Sequence, residues 1–223
     1  MNLMHDKWIP VRRRDGTCED IAPYEVTDKI DNNPIVALAA PRPDFNGALI
    51  QFLIGLFQTI YAPKSEGEWE DRMVKPPKPT DLKKLTDKVA FAFEMFGDGP
   101  RFMQDMTLKN DNTVSLWKIG KLLIDFPSEN AENHAKDFFI KKNSVTAISV
   151  KILPIALFTF QIYAVEGGAG HYTSVRKTVG PMTTIVKGIQ LDCPIWQTLL
   201  LNVLPRTHFL KSEFEDEDYP KIF

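Results

Sequence analysis

Gly167, Gly168 and Gly170 fall within four residues of one another in the stretch Ala164–Lys187, AVEGGAGHYTSVRKTVGPMTTIVK, and are followed by His171, Tyr172, Thr173, Ser174, Arg176 and Lys177. Glycine permits positive φ and, having no Cβ, lets another molecule reach the main chain, so this cluster suits a loop built for close approach. The hydroxyls and bases behind it suit a visitor that carries phosphates. A tight surface turn has the same composition, and the local sequence leaves both readings open. Catalytic readings find less support. A P-loop requires G-x-x-x-x-G-K-[ST], and GGAGHYTS has no lysine at the required place. GGAGHY does not fit G-x-G-x-x-G, and no nucleophile elbow occurs anywhere in the chain. His171 near Ser174 is a conceivable base and hydroxyl pair, but a lone loop histidine is more often a hydrogen-bonded surface residue.

A second stretch with chemical character is Ser128–Asn143, SENAENHAKDFFIKKN. Phe138 and Phe139 stand beside Lys141, Lys142 and Asn143, interleaving aromatics with bases as on surfaces that stack on or wedge into nucleic acid. The plain alternative is one core phenylalanine beside solvated lysines. The formal net charge of −2 hides an uneven distribution, because the tail 211–223 holds Glu213, Glu215, Asp216, Glu217 and Asp218. Lys136–Lys187 carries seven bases against two acids, enough for a local positive field that attracts a phosphate backbone. Cys18 and Cys193 are isolated and His5, His134, His171 and His208 are dispersed, so no metal and no cofactor are expected.

The elements that must position these stretches follow from hydrophobic pattern and breakers. Of the 223 residues, 43% are hydrophobic, with 16 prolines and 15 phenylalanines, which implies short elements joined by rigid corners around an aromatic interior. Trp8, Ile9 and Val11, the turn Asp15-Gly16 and Thr17–Ile21 read as a β-hairpin, with Arg12–Arg14 as a basic patch or a solvated strand end. Asp44 is expected to cap a buried helix over Asn46–Tyr61, ended by Ala62-Pro63, with Arg42 and Asp44 in a capping and ion-pair role. Lys75–Pro79 (KPPKP) is a stiff connector. Thr80 is then expected to cap a helix bearing Leu82, Leu85, Val89, Phe93 and Phe96, stopped by Gly97–Pro100. Phe102 and Met103 read as core, Leu116–Phe126 as a short helix, and Val145–Ala164 as a buried helix kinked at Pro154. Met182–Ile189 reads as a strand and Trp196–Leu204 as a last helix ended by Pro205. No apolar run reaches the ~18 residues a bilayer requires, and Met1–Asp15 lacks the apolar core of a signal peptide, so a cytoplasmic protein without a membrane partner is expected.

Taken together, MNLMHDKWIPVRRRDG, PRPDFNGALIQFLIGLFQTIYAP, GDGPRFMQD and the glycine stretch followed by GPMTTIVKGIQL resemble, in order, the amino-terminal part of the CasA family. CasA is the large subunit of Cascade, the type I-E CRISPR surveillance complex. The resemblance implies an α+β fold of mixed helices and short antiparallel strands, one domain over residues 1–223, without the family's carboxy-terminal four-helix bundle. It also implies that Gly168, Ala169 and Gly170 approach the minor groove of the protospacer-adjacent motif. Phe138, Phe139, Lys141, Lys142 and Asn143 would lie in a neighbouring loop that engages the same duplex, with Arg176 and Lys177 as further phosphate contacts. The implied partners are double-stranded target DNA, the crRNA-containing Cascade subunits and a recruited helicase-nuclease. The physics agrees, because a groove about 6 Å wide with a degenerate code admits bare backbone and tolerates several sequences.

Three departures from the family pattern are visible. Ser149 and Ile152 stand where many relatives have Cys-x-x-Cys, Arg176-Lys177-Thr178 stands for Arg-Gly-Gly, and the family's lysine finger and wedge would fall beyond Phe223. The expected function is therefore motif sensing within an RNA-guided antiviral complex, with no chemistry of its own. The alternatives are a scaffold subunit of the same ribonucleoprotein that reads nothing and, third, a nucleotide-binding enzyme using Gly167–Gly170.

Overall fold

The computed structural model describes residues 1–107, 116–136, 138, 140–141, 144–163, 184–188, 190 and 192–208. The chain divides into two compact units, Met1–Pro100 together with Thr184–Phe223, and Arg101–Thr183.

The first unit is built on a three-stranded antiparallel sheet of order β2-β1-β3, with β1 at Ile9–Arg13, β2 at Cys18–Ile21 and β3 at Ile35–Leu38. The expected hairpin is present. Its turn needs the left-handed backbone of Gly16 (φ 91°), and Asp15 Oδ1 accepts from the Thr17 N–H at 2.9 Å. Ile9 faces Ile21 and Val11 faces Glu19 across the ladder. β3 carries only four residues and follows the turn residues Asp31–Pro34, which do not name its partner, so its place beside β1 is a tertiary outcome. The β1–β3 register shifts between Arg12 and Arg13.

Period-2 alternation points Ile9, Val11 and Arg13 to the buried side. Arg13 is therefore neither a surface patch nor a solvated strand end. It is 3% exposed and donates to the Asp28 carbonyl at 3.0 Å, the Asn33 carbonyl at 2.9 Å and Asp28 Oδ2 at 2.8 Å, besides pairing with Glu19. Arg12 and Arg14 remain exposed.

Over the sheet lies α1, Pro43–Ile60, whose buried Phe45, Ala48, Leu49, Phe52, Leu53, Leu56 and Phe57 form one stripe. Asp44 is not its cap. The helix starts at Pro43, whose missing N–H costs nothing in the first turn, and Arg42 holds the cap position. Asp44 instead takes a two-pronged ion pair from Arg42, at 3.0 Å from both Nε and Nη2, which supports the ion-pair role expected for these two residues. Edge-to-face contacts link Trp8 to Phe52 (5.4 Å), Phe52 to Phe93 (6.2 Å) and Phe57 to Trp196 (5.5 Å).

A helix unforeseen in the sequence, α2 at Glu66–Val74, follows Pro63. Ser65 caps it by accepting from the Glu68 N–H, so the S-x-x-E spacing Ser65–Glu68 was the legible signal. Its Trp69 indole donates to the Leu200 carbonyl at 2.9 Å. Next comes α3, Pro79–Val89, which again starts on a proline, with Lys78 in the cap position, so Thr80 lies inside the helix. The helix ends at Val89 in a 3-10 turn, Ala90–Ala92. Phe93 is thus buried from outside the helix and Phe96 is exposed. The last helix of this unit, α6, spans Ile195–Leu201, shorter than expected because Asn202 closes it.

The strand expected over Met182–Ile189 is not formed in residues 184–188. Val186 donates to Asn202 Oδ1 at 2.9 Å and accepts from Asn202 Nδ2 at 2.7 Å. A side-chain amide there supplies the partners that a neighbouring strand would supply.

In the second unit, Leu116–Phe126 forms only a 3-10 turn at Ile119–Leu122 instead of a helix. Gly120 is buried against the Phe126 ring, and a Cβ at that position would enter the ring's van der Waals envelope. Gly120→Ala is expected to destabilise the protein by about 1–3 kcal/mol through overpacking, read as a lower urea midpoint. An unchanged midpoint would show that Phe126 moves aside freely. A short helix, α4 at Glu129–Asn133, follows.

The buried helix expected from Val145 begins only at Leu153, where α5 runs to Tyr163. Pro154 therefore opens the helix and does not kink it, since proline is tolerated in the first turn, where no N–H is required. Ser149 accepts from the Ile152 and Leu153 N–H groups at this end. Phe102 stacks on Phe158 of α5 at 6.4 Å, which makes it core as expected, while Met103 is only half-buried with φ 52°. No helix among the described residues is long and apolar enough to cross a membrane.

Candidate nucleic-acid interface

Phe138 and Lys141, the described members of the basic aromatic stretch, lie in the second unit beyond α4. The helix is started by Ser128, whose hydroxyl accepts from the Ala131 N–H at 3.1 Å. It is stopped by Ala135 at φ 52°, and the Lys136 N–H closes back on the Ala131 carbonyl at 2.8 Å. Phe138 is 72% exposed, an uncommon state for phenylalanine, and Lys141 is exposed three residues later. The Ser144 N–H donates to the Lys141 carbonyl at 3.1 Å. Of the two roles open to Phe138 in the sequence, the core role is excluded.

The other site residues expected from sequence lie outside the described residues: Gly168, Ala169 and Gly170, Phe139, Lys142 and Asn143, and Arg176 and Lys177. His171 and Ser174 lie outside them as well, as does the acidic tail from Glu213 to Asp218. Lys136 and Lys151, which contribute to the positive span, are exposed in the second unit.

Sequence reasoning missed one group. Trp117 is exposed, and Lys121 Nζ sits 5.6 Å from its ring centroid and 5.8 Å from that of Phe126. Lys121 is held there by donating to the Pro127 carbonyl at 2.7 Å. Lys118 lies 3.9 Å from Glu132 of α4, so part of its charge is offset. Trp117 with Lys118 and Lys121 carried the same aromatic and basic signature as Phe138–Lys142, hidden by reading the segment as a helix.

An exposed aromatic beside exposed ammonium groups offers stacking and phosphate attraction, both largely indifferent to base sequence. Among the described residues no three His, Cys, Asp or Glu side chains gather as a metal site. His5, 2.8 Å from Asp87, belongs to an exposed pair shared with Lys83.

The same α+β arrangement is present in solved CRISPR-associated proteins. Cse1 of Thermobifida fusca matches with a TM-score of 0.70 at 19% identity over 92% of this chain and 39% of its own. CasA of Thermus thermophilus matches with a TM-score of 0.66 at 19% identity over 98% of this chain and 40% of its own. A chain of a CRISPR RNA-guided surveillance complex matches with a TM-score of 0.63 at 15% identity over 91% of this chain and 43% of its own. The family model for CRISPR-associated protein Cse1 matches residues 2–221, and the chain belongs to that family. It spans about two-fifths of the length of the solved structures it matches.

Proposed function

We propose that this chain works in the cytoplasm as part of the large subunit of an RNA-guided type I-E CRISPR surveillance complex, where it senses the protospacer-adjacent motif. The observation that carries this reading is the family match over residues 2–221. Gly168, Ala169 and Gly170 approach the minor groove of the target duplex with bare backbone. Phe138, Phe139, Lys141, Lys142 and Asn143, with Arg176 and Lys177, hold the flanking phosphates and sugars. The outward position of Phe138 and Lys141 supports the second part of this assignment. The remaining surface docks on the crRNA-bearing subunits, and the complex then recruits a helicase-nuclease that cuts. Base pairing by the guide reads the target, while the protein reads only the short adjacent motif and contributes no bond-breaking chemistry.

Binding of target duplex by the assembled complex is expected to weaken steeply with salt, and Lys141→Ala to lower the slope of log K against log salt by about 1, the share of one phosphate contact. A slope unchanged in that variant, with assembly intact, removes Lys141 from the interface.

A further inference from the structure

Trp117 stands apart from the other three tryptophans. Trp8 and Trp196 are core and Trp69 is half-buried, whereas Trp117 keeps 58% of its surface in solvent, and Leu116 before it is exposed as well. Beside this ring the chain fixes a cation. Gly120 has no Cβ, so the Phe126 ring closes on the backbone there. Lys121 Nζ is held 5.8 Å from the centroid of that ring, 5.6 Å from that of Trp117 and 2.7 Å from the Pro127 carbonyl. Pro127 takes one of the three ammonium N–H groups. Lys118 is offset by Glu132 at 3.9 Å, so Lys121 is the cation this group presents. The charge of the whole chain is divided in the same sense: the second unit carries ten bases against seven acids, and the first seventeen against twenty-two.

We propose that Trp117 is a stacking platform for an unpaired base of a single-stranded nucleic acid, with Lys121 receiving the adjoining phosphate. An exposed indole offers a broad π-face to any base, and a neighbouring ammonium attracts the backbone that carries it. The net positive charge of this unit selects a polyanion as the partner. Duplex does not suit the ring, because each paired base is already covered by its neighbours and leaves only sugars, phosphates and groove edges to be met. Lys121 is anchored before the ligand arrives, so little side-chain freedom is lost on binding. The site is separate from the motif contacts proposed above and would serve a scaffold subunit equally well.

The test is the fluorescence anisotropy of labelled strands titrated with the full chain at fixed low salt: oligo(dT), oligo(rU) and an abasic strand, each of about 16 nucleotides. The expected result is saturable binding of the base-bearing strands, the tighter of the two naming the sugar of the natural occupant, with the abasic strand about tenfold weaker. Trp117→Ala should weaken the base-bearing strands about tenfold and the abasic strand hardly at all, while Trp117→Phe keeps most of the affinity. Lys121→Met should lower the slope of log K against log salt by about 0.7, the share of one phosphate on a single strand. Trp117 is a surface residue, so its alanine variant is expected to keep the urea midpoint of the parent. Three results overturn the proposal: no saturable binding of either base-bearing strand, an abasic strand bound as tightly as they are, or Trp117→Ala binding within about twofold of the parent. A dimer of the free chain that dissociates in Trp117→Ala also overturns it, by naming a second copy as what covers the ring. Motif-dependent duplex binding by the assembled complex is measured on the same variant and is expected to be unchanged, so the two readings fail separately.

Discussion

Leucine in place of both Gly168 and Gly170 is expected to lower motif-dependent duplex binding by the assembled complex about a hundredfold, while leaving motif-independent binding nearly unchanged. The magnitude follows from the groove itself. A loop that enters a cleft about 6 Å wide must present backbone alone, and a branched side chain at either position holds it away from the base edges. Losing specific contact at a base pair costs roughly 1–3 kcal/mol, and two such losses reach about 10²-fold or more. The proposed phosphate contacts would be untouched, so the salt-sensitive, sequence-independent floor is expected to persist. The measurement compares targets that carry the same crRNA complement with and without the adjacent motif, at fixed salt, using complexes whose assembly is verified by size. If motif dependence survives within about twofold, the groove-reading role fails and the scaffold role takes its place. Nucleotide turnover by the purified chain, lost in His171→Ala, would point instead to an enzyme.

The second large effect concerns stability. Arg13→Ala is expected to destabilise the protein by about 2–4 kcal/mol, seen as a fall of about 1–2 M in the urea midpoint. The buried guanidinium satisfies the carbonyls of Asp28 and Asn33, which belong to the segment leading into β3. Removing it orphans both carbonyls and leaves a void beside the sheet. Glu19 and Asp28 keep partial access to water, so their loss of a partner adds little. Arg13→Lys keeps the charge but cannot supply the fork, and should recover only part of the loss.

The pH dependence gives an independent check. The hydrogen bond from Arg13, followed by its charge, holds the Glu19 carboxyl below its ordinary value against an opposing push from burial. A carboxyl lowered on folding stabilises the native state fully above its unfolded value, about 4.3, and loses that contribution as pH falls through the folded value. The stability of the Arg13→Ala variant should therefore decline less between about pH 6 and about pH 3 than that of the parent. A variant within about 0.5 kcal/mol of the parent at neutral pH would show that the fork is dispensable.

The sequence by itself determined those parts of the molecule governed by local physics. Asp15-Gly16 dictated the hairpin because few residues other than glycine accept a φ of 91°. The run Asn46–Tyr61, apolar nearly all round and bounded by Pro43 and Pro63, dictated α1, although the fold buries only one stripe of it. The family motifs, spread in order along the chain, carried the resemblance that the match over residues 2–221 and the α+β fold then confirmed. Local signals misled where a stronger local signal or the tertiary context outweighed them. Asp44 and Thr80 are good caps, yet prolines one residue earlier had already begun both helices. Met182–Ile189 has strand composition, but residues 184–188 find the Asn202 amide in place of a neighbouring strand.

Only the tertiary structure decided the fate of the charges and aromatics. Arg13 and Arg12 are chemically identical neighbours, and the sheet's pleat sends one inward and the other to solvent. The same holds for Phe138, which no periodicity could assign to core or surface and which the fold leaves 72% exposed. Burial is a property of the packed neighbours, which lie far away in sequence. A residue's type states what it can do, and the fold determines which molecule it meets.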